Sequence, residues 1–243
     1  MKNQIAAALI SLAIIISFLI AGNAYKYKFK TNETISVTGL AEKDFVSDQI
    51  VWSGNYSRKM MDLKSAYLQL KEDEGKIRNY LKGKGIADGE IVFSSVAIQK
   101  EFTQRYNADG QTIGSDFAGF NLTQRVTVDS KDIDKVEKIS REVTELIEIG
   151  IEFNSSPPSY YYTKLSELKV DLLAKASSDA RQRAETIAKN SGSSLGKIKR
   201  ANMGVFQITG QNSNENYSYG GSFNTSSRSK TASITIKSDY ALD

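Results

Sequence analysis

Residues 165–198 read LSELKVDLLAKASSDARQRAETIAKNSGSSLGKI. Leu165, Leu168, Leu172, Ala176, Ala180, Ala184 and Ala188 recur at steps of three and four, so they fall on one stripe of a long helix from about Leu165 to Asn190. The small residues in the second half of that stripe allow the helix to lie close against a sheet. Downstream, Leu195–Ile208 and Thr231–Tyr240 read as a closing strand pair. Thr209–Arg228 lies between them, a run of Gly, Asn, Ser and Tyr with almost no aliphatic residue, and is expected to be a mobile hairpin excursion.

Upstream, the same two periods alternate. Ile35–Thr38 and Gln49–Tyr56 read as strands, the second holding the single Trp52. From Asp62 to Leu81, Leu63, Ala66, Tyr67, Leu70, Ile77 and Leu81 cover one helix face, with Asp62 placed as N-cap and Gly83 and Gly85 at the end. Strands at Ile91–Phe102 and Phe117–Val128 flank the turn Asn107-Ala108-Asp109-Gly110. A second helix is set by Ile133, Val136, Ile139, Val143 and Ile147 and stopped by Gly150. Ile151–Asn154 then runs into Pro157-Pro158 and Tyr160-Tyr161-Tyr162, an extended bend.

Strand, helix, glycine and hairpin follow one another twice: Ile91 comes six residues after Gly85, as Ile198 does after Gly192. Because the strands come in hairpins, the expected fold class is α+β, with two similar strand-helix-hairpin lobes sharing a mainly antiparallel sheet.

Ile35-Ser36-Val37-Thr38-Gly39, Gly85-Ile86, Gly119-Phe120, the Ala-rich helix from Asp171 to Ile198 and the closing ASITIKSDYAL together resemble the SIMPL-domain family, whose bacterial members include YggE-like envelope proteins. The Ala-helix followed by Gly192, Leu195 and Gly196 is the most specific element, and the likeness covers roughly residues 33–242. Phe120, where the family often has Tyr, Pro157-Pro158 with the tyrosine triplet, and the insertion before the last strand depart from the pattern. The resemblance implies an exported protein, with links to oxidative-stress defence and to assembly, and brings no catalytic residues.

The chain has no histidine and no cysteine. Ser-His-Asp and Cys-His machinery, disulfides and thiolate metal sites are therefore excluded, and no acylated N-terminal cysteine holds the chain to a membrane. No cofactor or metal is expected. A formal net charge of +4 over 243 residues is too small for a nucleic-acid surface.

Ile5–Gly22 is an uncharged apolar run preceded by Lys2. As a helix rising about 1.5 Å per residue it reaches roughly 27 Å, close to a hydrocarbon core of about 30 Å. Residues 1–24 are read as a signal anchor, 25–32 as a linker and 33–243 as the exported domain, including the insertion 209–228. The alternative is a signal peptide cleaved after Gly22-Asn23-Ala24, leaving a soluble periplasmic protein. Either way the folded part is expected in the periplasm.

Candidate chemistry is sparse. Ser-x-x-Lys occurs at Ser166–Lys169, Ser194–Lys197 and Ser227–Lys230, as often as chance predicts for a chain rich in both residues, and without a companion Lys-Thr-Gly. Glu72-Asp73-Glu74 is read as a solvated helix face, because consecutive helix residues point about 100° apart. Asn107, Asp109 and Gly110 lack the spacing of a calcium loop. Lys197, Lys199, Arg200 and Lys237 are read as charges that blunt sheet edges. Tyr217, Tyr219 and Phe223 form the expected partner-binding loop, since Tyr offers contact area at low entropy cost among adaptable Ser, Gly and Asn. The expected function is non-enzymatic: binding an envelope protein or polymer, or self-assembly as a homo-oligomer, at the inner membrane. The alternative is a carboxylate-dependent hydrolase or ligand-binding enzyme acting on envelope polymers, which two carboxylates facing across a deep cleft would favour.

Overall fold

A computed structural model describes residues 2–30 and 33–242 of the chain, with side chains in 10–26 and 33–242. Helix α1 runs from Lys2 to Lys30. It continues past the expected boundary at residue 24, because Tyr25–Lys30 contains neither Gly nor Pro to end it; residues 31 and 32 of the expected linker lie outside the described residues. Among the described residues, no helix is long and apolar enough to cross a membrane. The first five residues of the apolar run, Ile5–Leu9, have side chains outside those described.

The folded part is α+β with mainly antiparallel sheets, as expected, but the two lobes do not share a sheet. Strand β1 (Thr34–Val46) leads through Ser47 and Asp48 into β2 (Gln49–Met60), which belongs to a different sheet. The second lobe follows without interruption: α2 (Leu63–Gly83), β3 (Ile91–Phe93), β4 (Ala97–Tyr106), β5 (Thr112–Ser130), α3 (Ile133–Glu142), β6 (Phe153–Ser155) and β7 (Ser159–Tyr161). Helix α4 (Leu165–Asn190) then returns the chain to the first lobe, which β8 (Leu195–Met203), β9 (Gln207–Gly210) and β10 (Ser229–Leu242) complete. The strand partnering α4 is therefore β1, from far upstream, and not the short Ile151–Asn154 segment that precedes it in sequence.

In the first sheet, β10 is central. It pairs antiparallel with β1 along one edge, from Thr34 opposite Ala241 to Val46 opposite Ser229, and with β8 and β9 along the other. Period two decides the faces: Val37 and Ala41 on β1, with Ala232, Ile234, Ile236 and Tyr240 on β10, are buried beneath α4. All four alanines of the α4 stripe are buried, as are Leu168 and Leu172. The approach is closest at Gly39, where an added Cβ would lie 2.2 Å from the Ala176 carbonyl oxygen and 2.5 Å from the Ala180 nitrogen.

One turn along, the Asp179 carboxylate of α4 accepts the Leu40 N–H at 2.8 Å, on the side of β1 that no strand covers among the described residues. That hydrogen bond, reinforced by Arg183, holds the Asp179 carboxyl below its ordinary range. Its contribution to stability is therefore present above the unfolded carboxyl value of about 4 and is lost as pH falls through the lower folded value. Melting midpoints taken from about pH 6 down to about pH 2 are expected to fall more steeply for the wild type than for Asp179→Asn. Parallel curves would show that the carboxylate does not hold β1.

In the second sheet the order is β3-β5-β2-β6, with β4 continuing along β5 and β7 along β2. The strand expected at Ile91–Phe102 is broken at residues 94–96, and β5 begins five residues before the expected Phe117, so β4 and β5 form a long hairpin arm around Asn107–Gln111. The Asn107 side-chain oxygen accepts the Asp109 and Gln111 N–H groups, a turn as expected. Asp62 caps α2 by accepting the Ser65 N–H. Beyond Glu142 the α3 spiral tightens into a 3-10 helix over Val143–Ile149. In that geometry i and i+3 eclipse, so Leu146 follows Val143 into the core and Ile147, expected on the buried stripe, is 63% exposed. Gly150 ends the segment with φ +76°.

Candidate functional site

The acidic triplet on α2 is the first place to look for carboxylate chemistry. Glu72 is solvated beside Lys76, but Asp73 is 1% exposed and the Glu74 side chain is 12% exposed. The expectation of a solvated face is thus corrected for two of the three. Position 73 lies one turn from both Leu70 and Ile77, inside the buried stripe. Arg58 on β2 makes the site tolerable: its Nε and Nη2 both donate to the Asp73 carboxylate, and Nη2 also donates to the Gly150 carbonyl at 2.7 Å. Alongside, the Tyr56 hydroxyl donates to Gln124 Oε1 at 2.6 Å, and Gln124 Nε2 donates to Glu74 at 3.1 Å and to the Ser94 carbonyl at 2.9 Å. Burial, with Glu74 and Asp73 nearby, pushes the Tyr56 phenol well above its usual range. The carboxylates point into packed protein and are matched by donors. This network ties α2 to its sheet.

Two lysines of the serine–lysine pairs, Lys230 and Lys169, have other partners. Lys230 is buried, and its amine donates to the Tyr160 carbonyl at 2.6 Å, joining β10 of one lobe to β7 of the other; burial lowers its pKa. Tyr160 N–H to Thr225 O crosses the same seam. Lys169 lies over the Phe206 ring. Lys197, Lys199 and Arg200 are exposed on β8, an edge strand as expected, whereas Lys237 sits on the central β10 and blunts no edge. Among the described residues, no group of Asp and Glu side chains is placed to hold a metal ion.

The loop between β9 and β10 is widely exposed. It folds back on the first sheet and is tied there by hydrogen bonds that the expectation of a free excursion did not include. The buried Gln207 is the tether: its Oε1 accepts the Ser218 and Ser222 N–H groups, and its Nε2 donates to the Ser218 carbonyl at 2.8 Å. The Ile208 N–H donates to Ser222 O, and Asn224 N–H donates to Ile208 O. Held this way, the three expected residues do not form one cluster. Tyr217 and Tyr219 line a cleft of about 230 Å³ with Leu40, Gln207 and Thr235, while Phe223 lines a neighbouring one of about 490 Å³ with Met203, Phe206 and Ile208. Val205 belongs to both clefts and joins them. Tyr219 is fully exposed, Phe223 more than half so, and the Tyr217 hydroxyl lies 3.4 Å from Glu42 and from Ser233. Met203 and Val205 were missed in the sequence. Their signal is two large apolar residues either side of Gly204, where the sequence pattern predicts an unbroken strand over Leu195–Ile208.

The Ala-striped helix over Gly39, the second sheet and most of β1 and the closing β10 fall within the span of one family model, SIMPL, described as a protein of unknown function (DUF541), which matches residues 35–239. The chain belongs to the SIMPL family. No curated protein matches it. The match leaves α1 outside and takes in the whole of the Tyr217–Phe223 loop, so the SIMPL domain here comprises both lobes and the aromatic surface.

Proposed function

We propose that this SIMPL protein is a non-enzymatic envelope component, held at the inner membrane by its N-terminal helix with the domain in the periplasm. It binds an envelope protein or polymer and assembles with further copies, in a protective or scaffolding role. The observation that carries this reading is the aromatic surface of the β9–β10 loop. Its backbone is held by Gln207 before any partner arrives, so the backbone entropy of ordering the loop that carries Tyr217, Tyr219 and Phe223 is met in folding.

Capture from envelope extracts, run side by side on the wild type and a Tyr219→Ser/Phe223→Ser variant, tests it. A species retained by the wild type is expected to be lost by the variant while the melting midpoint stays within about 1 °C, since both side chains are exposed. Equal capture by both would remove the loop as the binding feature. The placement at the membrane rests on the charge-free run after Lys2. N-terminal sequencing of the mature protein that begins at Tyr25 would replace the anchor with a soluble periplasmic form.

A further inference from the structure

We propose that β4 is the edge through which two copies of the chain pair, antiparallel, about a two-fold axis through Phe102. This rests on the reading above that the protein assembles, and names the surface that does it. Sheet edges invite pairing unless they are covered, charged, bulged, very short or interrupted by proline. Among the described residues the other edges carry such a device; the side of β5 over Thr112–Gly119, beyond its last pairing with β2 at Phe120, is bulged opposite Glu101–Phe102 and Arg105–Tyr106. On β1, Asp179 takes the Leu40 N–H where an incoming carbonyl would sit. On β8, Lys197, Lys199 and Arg200 set one sign of charge along the strand, and its pairing with β10 is irregular at Asp239 and Tyr240. β9 is covered by the bridge between Ile208 and Phe223. β3, β6 and β7 have three residues each, with Pro157-Pro158 between the last two. β4 has ten residues, no proline, charges of both signs, and no strand on its outer side among the described residues; the two register shifts in its pairing with β5 place the extra residue on β5, so the alternation of β4 itself is unbroken.

The side chains of the arm choose the register. Ile98, Lys100, Phe102, Gln104 and Tyr106 share one face. Phe102 meets Phe117 with ring centroids 5.8 Å apart, and Phe117 meets Phe120 at 5.1 Å, so the core of the lobe continues outward along this face. Ile98, Phe102 and Tyr106 are nevertheless more than half exposed. A two-fold axis normal to the sheet keeps each residue on its own face, so only positions of like parity can pair. With the axis at Phe102, that ring faces its copy, Ile98 faces Tyr106 and Lys100 faces Gln104. Moving the axis to Glu101 sets that carboxylate against itself. Moving it to Thr103 sets Phe102 against Gln104.

Because the chain has no cysteine, introduced thiols report on this contact alone. The Cα atoms of two directly opposed residues lie about 4.5 to 5.5 Å apart, within the span a disulfide bridges. Full-length Phe102→Cys, and a Lys100→Cys/Gln104→Cys variant that keeps the phenylalanine, are oxidised mildly in detergent; light scattering gives the mass of the wild type under the same conditions. Both variants are expected to yield disulfide-linked dimer about tenfold in excess of a Gln111→Cys control at the hairpin turn. A wild type heavier than one chain, with no excess of cross-linking over the control, overturns the β4 contact and leaves assembly standing. A mass of one chain at every concentration overturns both.

Discussion

Replacing Gly39 by alanine is expected to destabilise the domain by about 3 to 5 kcal/mol, a fall in melting midpoint on the order of 10 °C. The cause is the absence of room between β1 and α4. The new methyl group would meet the Ala176 carbonyl oxygen at 2.2 Å, the Ala180 nitrogen at 2.5 Å and the Ala180 Cβ at 2.8 Å, and two of those atoms are backbone that no rotamer change can move. Relief requires α4 to rise from the sheet along the stripe Ala176, Ala180 and Ala184, exposing Val37 and Ile236. Gly75 on α2 is the contrasting case. An added Cβ there has nothing within 4 Å, so Gly75→Ala is expected to gain up to about 1 kcal/mol from helix propensity. Thermal melts of the two variants beside the wild type check both signs. An unchanged midpoint for Gly39→Ala would falsify the close approach of helix and strand.

Arg58→Met is expected to cost about 3 to 5 kcal/mol, because it leaves the Asp73 carboxylate buried beneath α2 without its partner. Arg58 is itself 28% exposed, so losing its own burial contributes little. A second change, Asp73→Leu, is expected to recover much of the loss, since a leucine there continues the stripe of Leu70 and Ile77 and needs no donor. Removing the surface pair of Lys76 and Glu72 should cost under about 1 kcal/mol by comparison. Denaturant unfolding of the singles and the double measures the coupling. If the single change at Arg58 costs no more than the surface pair, the buried ion pair does not hold the second lobe together.

The periodic elements were legible in the sequence because their signals are local. The α4 stripe, the Asp62 cap, the stop at Gly150 and the alternation of β10 each follow from residues a few positions apart, whose spacing alone decides which face is apolar. The absence of His and Cys likewise settled from composition which chemistries the chain lacks. The aromatic loop was found by composition, but not its tether, since nothing in the sequence shows that Gln207 turns inward to hold Ser218 and Ser222. Three further things were decided only in three dimensions. The exchange of β1 for the expected neighbour of α4 spans over a hundred residues, and no local pattern records which strand a helix will cover. The burial of Asp73 depends on an arginine fifteen positions away on another element, which supplies the charge that makes burial affordable. The open edge of β4 is a property of the sheet order, because a strand's own residues show that it will pair but not whether both of its sides find a partner.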